Sequence, residues 1–268
     1  MSTFPYHFTT QKSSKTHPPK TFPKNTNSPL YNFSPHDKID IQNNIKGCDI
    51  KLKILELFAG TRSIGKAFED KGHEVYSVEW DHQHENIDLY SDILTVTSEQ
   101  ILKEFGRPDI IWASPDCTTY SIAAISTHRH REEDGHLSPK SDKAIQSDKV
   151  NQHVLNLINE LKPKYYFIEN PRGGMRKVRW MKDIPIYTVT YCQYGDTRMK
   201  PTDIWTNHPN PKFKPMCKNG QTCHVSAPRG SKTGTQGLKG SVLRSIIPRE
   251  LCEHIVTISE EGVNGSNY

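Results

Sequence analysis

The run Ser114-Pro115-Asp116-Cys117-Thr118-Thr119-Tyr120-Ser121 holds the side chain best placed to react. Cys117 comes just after an apolar strand, and Pro115 stiffens the turn between them. A cation or a helix N-terminus nearby would raise the thiolate fraction and make it a nucleophile. The other reading is an inert buried thiol, and the polar residues on both sides argue against it. A second apolar run ends in Glu169-Asn170-Pro171. A carboxylate at the next strand end would face the same cleft. Thiol and carboxylate together suit covalent attack on a ring while a ring nitrogen is protonated.

A second group of residues suits binding rather than reaction. The first strand ends in Phe58-Ala59-Gly60-Thr61-Arg62-Ser63. The glycine lets a ligand approach the backbone, although a plain strand-to-helix turn looks the same. Glu79-Trp80 ends the second strand. The carboxylate there suits both ribose hydroxyls of a nucleoside, and the indole suits stacking on its base. A capping Glu beside a core Trp is the structural alternative. Asp92-Ile93 follows, and Asp92 could accept from an amino group on an adenine ring or simply sit in a loop before a helix. Three such features in this order favour an adenosine-containing cofactor.

The elements that must position these residues alternate along the chain. Strand patterns cover 52–58, 74–80, 109–114, 165–168, 186–192 and 202–206. Helical patterns cover 61–71, 98–105, 148–161 and 246–258, the last opened by Pro248. Several strands are apolar throughout, which predicts a mostly parallel sheet covered on both faces. Ligands bind such sheets beyond the carboxyl ends of the strands, where the residues above lie.

Composition limits the classes. The 268 residues are 34% hydrophobic and 24% charged, with a formal charge of +5, and the mean hydropathy is −0.72. No apolar run approaches the ~20 residues of a membrane helix. Six cysteines in a chain of this length are too few for a disulfide scaffold. The first 36 residues contain no Asp or Glu and are rich in Pro, Ser, Thr, Asn and Lys. Residues 1–50 therefore read as a disordered basic tail. Residues 122–147 read as a long loop carrying His128, Arg129, His130, Arg131, Lys140 and Lys143. Residues 208–240 are basic through Lys212, Lys214, Lys218, Arg229, Lys232 and Lys239. Cys217, Cys223 and His224 lack a Cys-x-x-Cys pair and a fourth ligand, so no metal is expected.

Four motifs in this order resemble those of the S-adenosylmethionine-dependent DNA (cytosine-5)-methyltransferases, of the compact phage and prokaryotic type. Leu57-Phe58-Ala59-Gly60 resembles the first motif. Pro115-Asp116-Cys117 with Ser121 resembles the Pro-Pro-Cys motif, and Glu169-Asn170 the Glu-Asn-Val motif. Tyr194-Gly195 with Arg198, Lys200 and Thr202 stands where the family has Gln-x-Arg-x-Arg. Asp116 replaces the second proline, Thr118 a glutamine and Pro171 the valine.

The resemblance implies a Rossmann-like α/β fold, with helices on both faces of the sheet and a small irregular C-terminal recognition region. It divides the chain into a catalytic domain (51–207), a short target-recognition region (208–243), and a returning helix and tail (244–268). Cys117 and Glu169 would be catalytic. Phe58, Ala59, Gly60, Thr61, Glu79, Trp80, Asp92, Ile93 and Pro115 would bind S-adenosylmethionine. Ser121, Asn170, Arg198, Lys200 and Thr202 would bind substrate. The implied partner is double-stranded DNA with its target base flipped out, and residues 122–147 would close over it. The expected enzyme is a cytoplasmic monomer in a prokaryotic or phage-infected cell, in a role such as restriction-modification, with no membrane partner. RNA as substrate, an amino-methyltransferase acting on cytosine N4 or adenine N6, and a non-enzymatic DNA-binding relative are the alternatives.

Overall fold

The computed structural model describes residues 51–226 and 240–264. The expected basic tail, together with Arg229, Lys232 and Lys239, lies outside the described residues. Seven strands form one sheet: β1 (Lys53–Leu57), β2 (Glu74–Glu79), β3 (Leu89–Tyr90), β4 (Ile110–Ala113), β7 (Tyr165–Pro171), β8 (Ile186–Thr190) and β9 (Pro201–Thr206), in the order β3-β2-β1-β4-β7-β9-β8. The pairs among β3, β2, β1, β4 and β7 are parallel. By contrast, β9 runs antiparallel to both β7 and β8.

Side chains alternate across the sheet as the strand period requires. Leu52 and Ile54 of the first strand region, Ile110 and Trp112 of β4, and Phe167 of β7 pack with Ile64 and Phe68 of α1 (Ser63–Glu69) and Leu251, Ile255 and Ile258 of α6 (Arg249–Asn264). On the other face Leu55, Leu57, Ile111, Ala113 and Ile168 pack with Ile101 of α2 (Ser98–Glu104) and Val154, Leu157 and Leu161 of α4 (Asp142–Leu161). Burial on both faces explains why the central strands read as unbroken apolar runs.

Helix ends follow local chemistry. Arg62 takes a left-handed conformation (φ +55°), so α1 starts after it rather than at 61. The Ser141 hydroxyl accepts from the Ala144 N–H at 3.2 Å. That cap starts α4 at Asp142 rather than 148. A left-handed Lys162 ends α4 just before Pro163. Pro248 opens α6 by accepting from the Leu251 and Cys252 N–H groups.

Residues 122–147 are not the open loop that was expected. They hold α3 (Ile125–His128), an antiparallel pair of β5 (Arg129–Arg131) and β6 (Leu137–Pro139), and the start of α4. Arg129 is buried at the centre of this segment. It pairs with Asp148 at 2.8 Å, donates to the Thr119 carbonyl and hydroxyl, and lies 4.1 Å from the Tyr120 ring centroid. Tyr120 donates to Asp148 at 2.7 Å and accepts from Asn151 at 3.1 Å. This network fastens the turn after Cys117 to α4. Among the described residues no helix is long and apolar enough to cross a membrane.

Candidate active site

Cys117 sits in the turn after β4, at the start of the tight helical turn Thr118–Tyr120. Asp116 shapes that turn: its Oδ1 accepts from the Thr118 hydroxyl at 2.6 Å and the Thr118 N–H at 3.2 Å. A side chain thus restrains the backbone where the family uses a proline ring. At the end of the adjacent β7, the Asn170 amide donates to the Pro115 carbonyl at 3.0 Å. The two strand ends are therefore joined directly. Among the described residues Asn170 Oδ1 is buried without a hydrogen-bond partner. Just beyond β7 a side chain at Gly173 would bring its Cβ to 2.5 Å from the Tyr120 carbonyl oxygen. Only glycine permits that approach.

Because β9 is reversed, its first residues lie at the same sheet edge as the last residues of β4, β7 and β8. Lys200, just before β9, and Tyr191, just after β8, are brought to Glu169 in this way. The Tyr191 hydroxyl donates to Glu169 Oε1 at 3.1 Å. Lys200 Nζ lies 3.5 Å from that hydroxyl and 4.4 Å from the ring centroid, and it donates to the Arg244 carbonyl at 2.9 Å. Tyr191 carries no motif of its own, and only the reversed β9 reveals its place.

The acidities at this edge follow from burial and charge. Burial pushes the Glu169 carboxyl above its ordinary 4.5, against the pull of Lys200 and of hydrogen bonds from Tyr191 and Ser114. The Cys117 thiol is pushed above 9.0, first by burial and then by the Asp116 and Glu169 carboxylates, while Lys200 opposes them. Burial pushes Lys200 itself down, against the charges of Glu169, Cys117 and Asp196.

Three residues expected on the substrate have other tasks. Arg198 is buried, with its guanidinium gripping Asp196 and donating to the Leu243 and Ile246 carbonyls at 3.2 Å each. It braces the C-terminal segment, while the charge of Lys200 acts on the carboxylate. Thr202 is fully buried in β9 and donates to the Lys200 carbonyl. Asn170 holds the Cys117 turn as described. Ser121 is half-buried at the end of that turn. In the basic segments, His128 bonds Ser141, Lys212 pairs with Glu261, and Lys214 with Glu250. His130, Arg131, Lys143 and Lys218 are exposed.

The other half of the edge is built from β1 and β2. Phe58, Gly60 and Arg62 all have positive φ (57°, 49° and 55°), a strained turn for the two that carry side chains. Ala59 is buried and donates its N–H to Val78, and Thr61 bonds Ser63. Glu79 accepts from the Gly60 N–H at 3.0 Å through Oε2, and from the Trp80 and Asp81 N–H groups through Oε1. Trp80 is 70% exposed, so it is not the core residue of the alternative reading. Asp92 accepts from the Leu94 N–H through Oδ1, with Ile93 buried beside it and Pro115 buried at the end of β4.

A family model described as C-5 cytosine-specific DNA methylase matches residues 52–179. A Frog virus 3 (isolate Goorha) protein described as "Probable DNA (cytosine-5)-methyltransferase" is 30% identical over 210 residues, which is 72% of this chain and 92% of the viral one. The chain belongs to the DNA (cytosine-5)-methyltransferase family.

Two solved structures resemble it more distantly. A methyltransferase of Entamoeba histolytica, EhMeth, is 15% identical, with a TM-score of 0.43 over 59% of this chain and 52% of that one. The Dnmt2 methyltransferase of S. pombe is 14% identical, with a TM-score of 0.40 over 59% of this chain and 49% of that one. The chain thus spans about half the length of each.

The methyl donor this family implies is S-adenosylmethionine, and the β1–β2 edge suits it. An exposed indole stands beside a carboxylate whose Oε2 accepts one hydrogen bond among the described residues, which leaves a lone pair for a ribose hydroxyl.

Proposed function

We propose that this protein methylates carbon 5 of cytosine in double-stranded DNA, through a covalent bond between Cys117 and carbon 6 of a base rotated out of the helix. The observation that carries the reading is the linkage of the β4 and β7 ends, with the charge of Lys200 acting on both Cys117 and Glu169.

The two shifts act differently on the chemistry: burial leans Glu169 toward its proton, while burial and the neighbouring carboxylates disfavour the Cys117 thiolate, which Lys200 favours. Burial favours the neutral form of Glu169, which donates a proton to ring nitrogen 3 and accepts from the exocyclic amine. The Cys117 thiolate bonds to carbon 6, and the displaced π pair is neutralised at nitrogen 3 by the Glu169 proton. Carbon 5 thereby becomes nucleophilic. S-adenosylmethionine, when bound, supplies an electrophilic methyl group there. A base then takes the carbon-5 proton, the sulfur–carbon bond breaks, Cys117 leaves as thiolate, and the nitrogen-3 proton returns to Glu169. Glu79, Trp80 and Asp92 bind the donor's adenosine, with Phe58, Ala59, Gly60, Thr61, Ile93 and Pro115 shaping its pocket.

Base flipping costs a few kcal/mol of stacking. Exposed His130, Arg131, Lys143 and Lys218 offset it through phosphate contacts. The amino-methyltransferase alternative would need an aromatic side chain free to stack on the base, and Tyr120 is buried with its hydroxyl bound to Asp148.

Nucleoside analysis tests the reading. Duplex DNA and RNA treated with enzyme and methyl donor should yield 5-methyldeoxycytidine from the DNA alone. Methylated amino groups, or product only from RNA, would overturn it.

A further inference from the structure

Cys192, Cys217, Cys223 and His224 bring three sulfurs and one ring nitrogen within 4.8 Å of one another, and the chemistry above uses none of them. Cys192 lies in the turn Tyr191–Tyr194 after β8, and the other three come from the segment after β9. The missing fourth donor is therefore Cys192, 25 residues before Cys217 in numbering (217 − 192) and invisible to a local spacing rule. Cys223 Sγ stands 3.7 Å from Cys192 Sγ and 2.8 Å from Cys217 Sγ. His224 Nδ1 stands 3.4 Å from Cys217 Sγ and 3.7 Å from Cys223 Sγ.

A tetrahedral zinc ion with Zn–S of about 2.3 Å and Zn–N of about 2.0–2.1 Å holds sulfurs about 3.8 Å apart and sulfur and nitrogen about 3.5 Å apart. Three of the four separations fall near those values. The fourth, 2.8 Å, is far longer than a disulfide bond of about 2.05 Å, and the cysteines are free. Little apolar packing holds this segment, since Lys218, Asn219, Gly220, Gln221 and Thr222 are all exposed. It is nonetheless laid against the β8 turn, by Cys217 N–H to the Thr190 hydroxyl at 2.9 Å and Val225 N–H to the Thr197 carbonyl at 2.8 Å.

We propose that Cys192, Cys217, Cys223 and His224 bind one structural zinc ion. The set is closed, with four protein donors and no open position for water. Thiolate-rich donors select zinc over magnesium or calcium. On binding, three thiols release three protons, and His224 coordinates as neutral imidazole through Nδ1. The site then carries a net charge of −1, and no oxidant or reductant is involved. The ion pins the start of the recognition region to the turn that carries Tyr191, and hence to Glu169.

The test is elemental analysis of the full chain purified without chelator, followed by cobalt exchange. Zinc should be present at one ion per chain and fall to background in Cys223→Ser and in Cys217→Ser, while Cys252→Ser keeps it. Cobalt in the wild-type chain should give the intense visible bands of a tetrahedral site and a thiolate-to-cobalt charge-transfer band. The cobalt spectrum of the wild-type chain decides the matter even where a variant fails to fold. A wild-type chain that takes up neither zinc nor cobalt would overturn the proposal, as would one whose unreduced mass shows a Cys217–Cys223 disulfide. Metal content is read without any methylation, so failure here is distinct from failure of the methyltransferase reading.

Discussion

The two halves of the active edge are held in different ways. On the β1–β2 side most contacts are local, Glu79 with Trp80 and Asp81 and Asp92 with Leu94, and one, Glu79 with Gly60, joins the two strand ends. On the β4–β7 side they cross the chain: Asn170 with Pro115, Glu169 with Tyr191, Lys200 with Arg244 and Arg129 with Asp148. The first half presents an exposed ring and a partly engaged carboxylate, which suit recognition by shape. In the proposed mechanism the groups of the second half react, so their acidity has to be set by burial and neighbouring charge. Such surroundings are assembled from several elements.

The largest separation of the halves should come from Glu169→Gln. Methyl transfer should fall by about 10²–10⁴-fold, while calorimetry finds donor affinity unchanged. A variant that loses donor binding would mean that the halves are not separable. Next in size is Arg129→Met, which leaves Asp148 buried without its cation. Denaturant unfolding should show a loss of about 3–5 kcal/mol. Lys212→Met, at an exposed pair, should cost no more than about 1 kcal/mol. Equal losses would remove the claim that a buried brace holds the base-side half. Glu79→Ala acts on the other half. It should weaken donor binding about 10- to 150-fold, the cost of about 1.5–3 kcal/mol for a hydrogen bond to a charged group. Unchanged affinity in a folded variant would contradict the assignment.

The smallest effect concerns pH. The proposed mechanism needs Cys117 ionised together with Glu169 protonated. Below the Glu169 pKa both groups hold protons and the thiolate is lost; above the Cys117 pKa both are ionised and the proton donor is lost. The profile of kcat/KM should therefore fall on the acid side at a limb above 4.5, and on the alkaline side at a limb above 9.0. Asp116→Asn keeps an oxygen to hold the turn and removes a charge that disfavours the thiolate. Its alkaline limb should move to lower pH, and iodoacetamide should alkylate Cys117 severalfold faster at neutral pH. An unmoved limb would place the control of thiol acidity elsewhere.

The same contrast governs what the sequence reveals. Apolar runs and the polar residues ending them marked β1, β2, β4 and β7, and with them Gly60, Glu79, Cys117 and Glu169. Periodicity cannot show strand direction, so the reversal of β9, which brings Tyr191 to the site and explains why Lys200 is there, stayed hidden. Charge counts cannot show partners either. Arg129 and Arg198 read as binding residues, yet each is buried against a carboxylate supplied by the fold. The start of α4 was missed because its signal is the Ser141 cap rather than an apolar stripe.

The central claim is that Cys117 bonds to the target base, and a trapping experiment tests it most directly. A cytosine with fluorine at carbon 5 has no proton there to lose, so the adduct cannot resolve. With S-adenosylmethionine present, the wild-type chain should remain attached to such DNA after denaturation. Proteolysis and mass spectrometry should place the bond on Cys117, and Cys117→Ser should form none. A Cys117→Ser chain that still methylates carbon 5 at near-normal rates, or a wild-type chain that forms no adduct while turning over ordinary cytosine, would contradict the account.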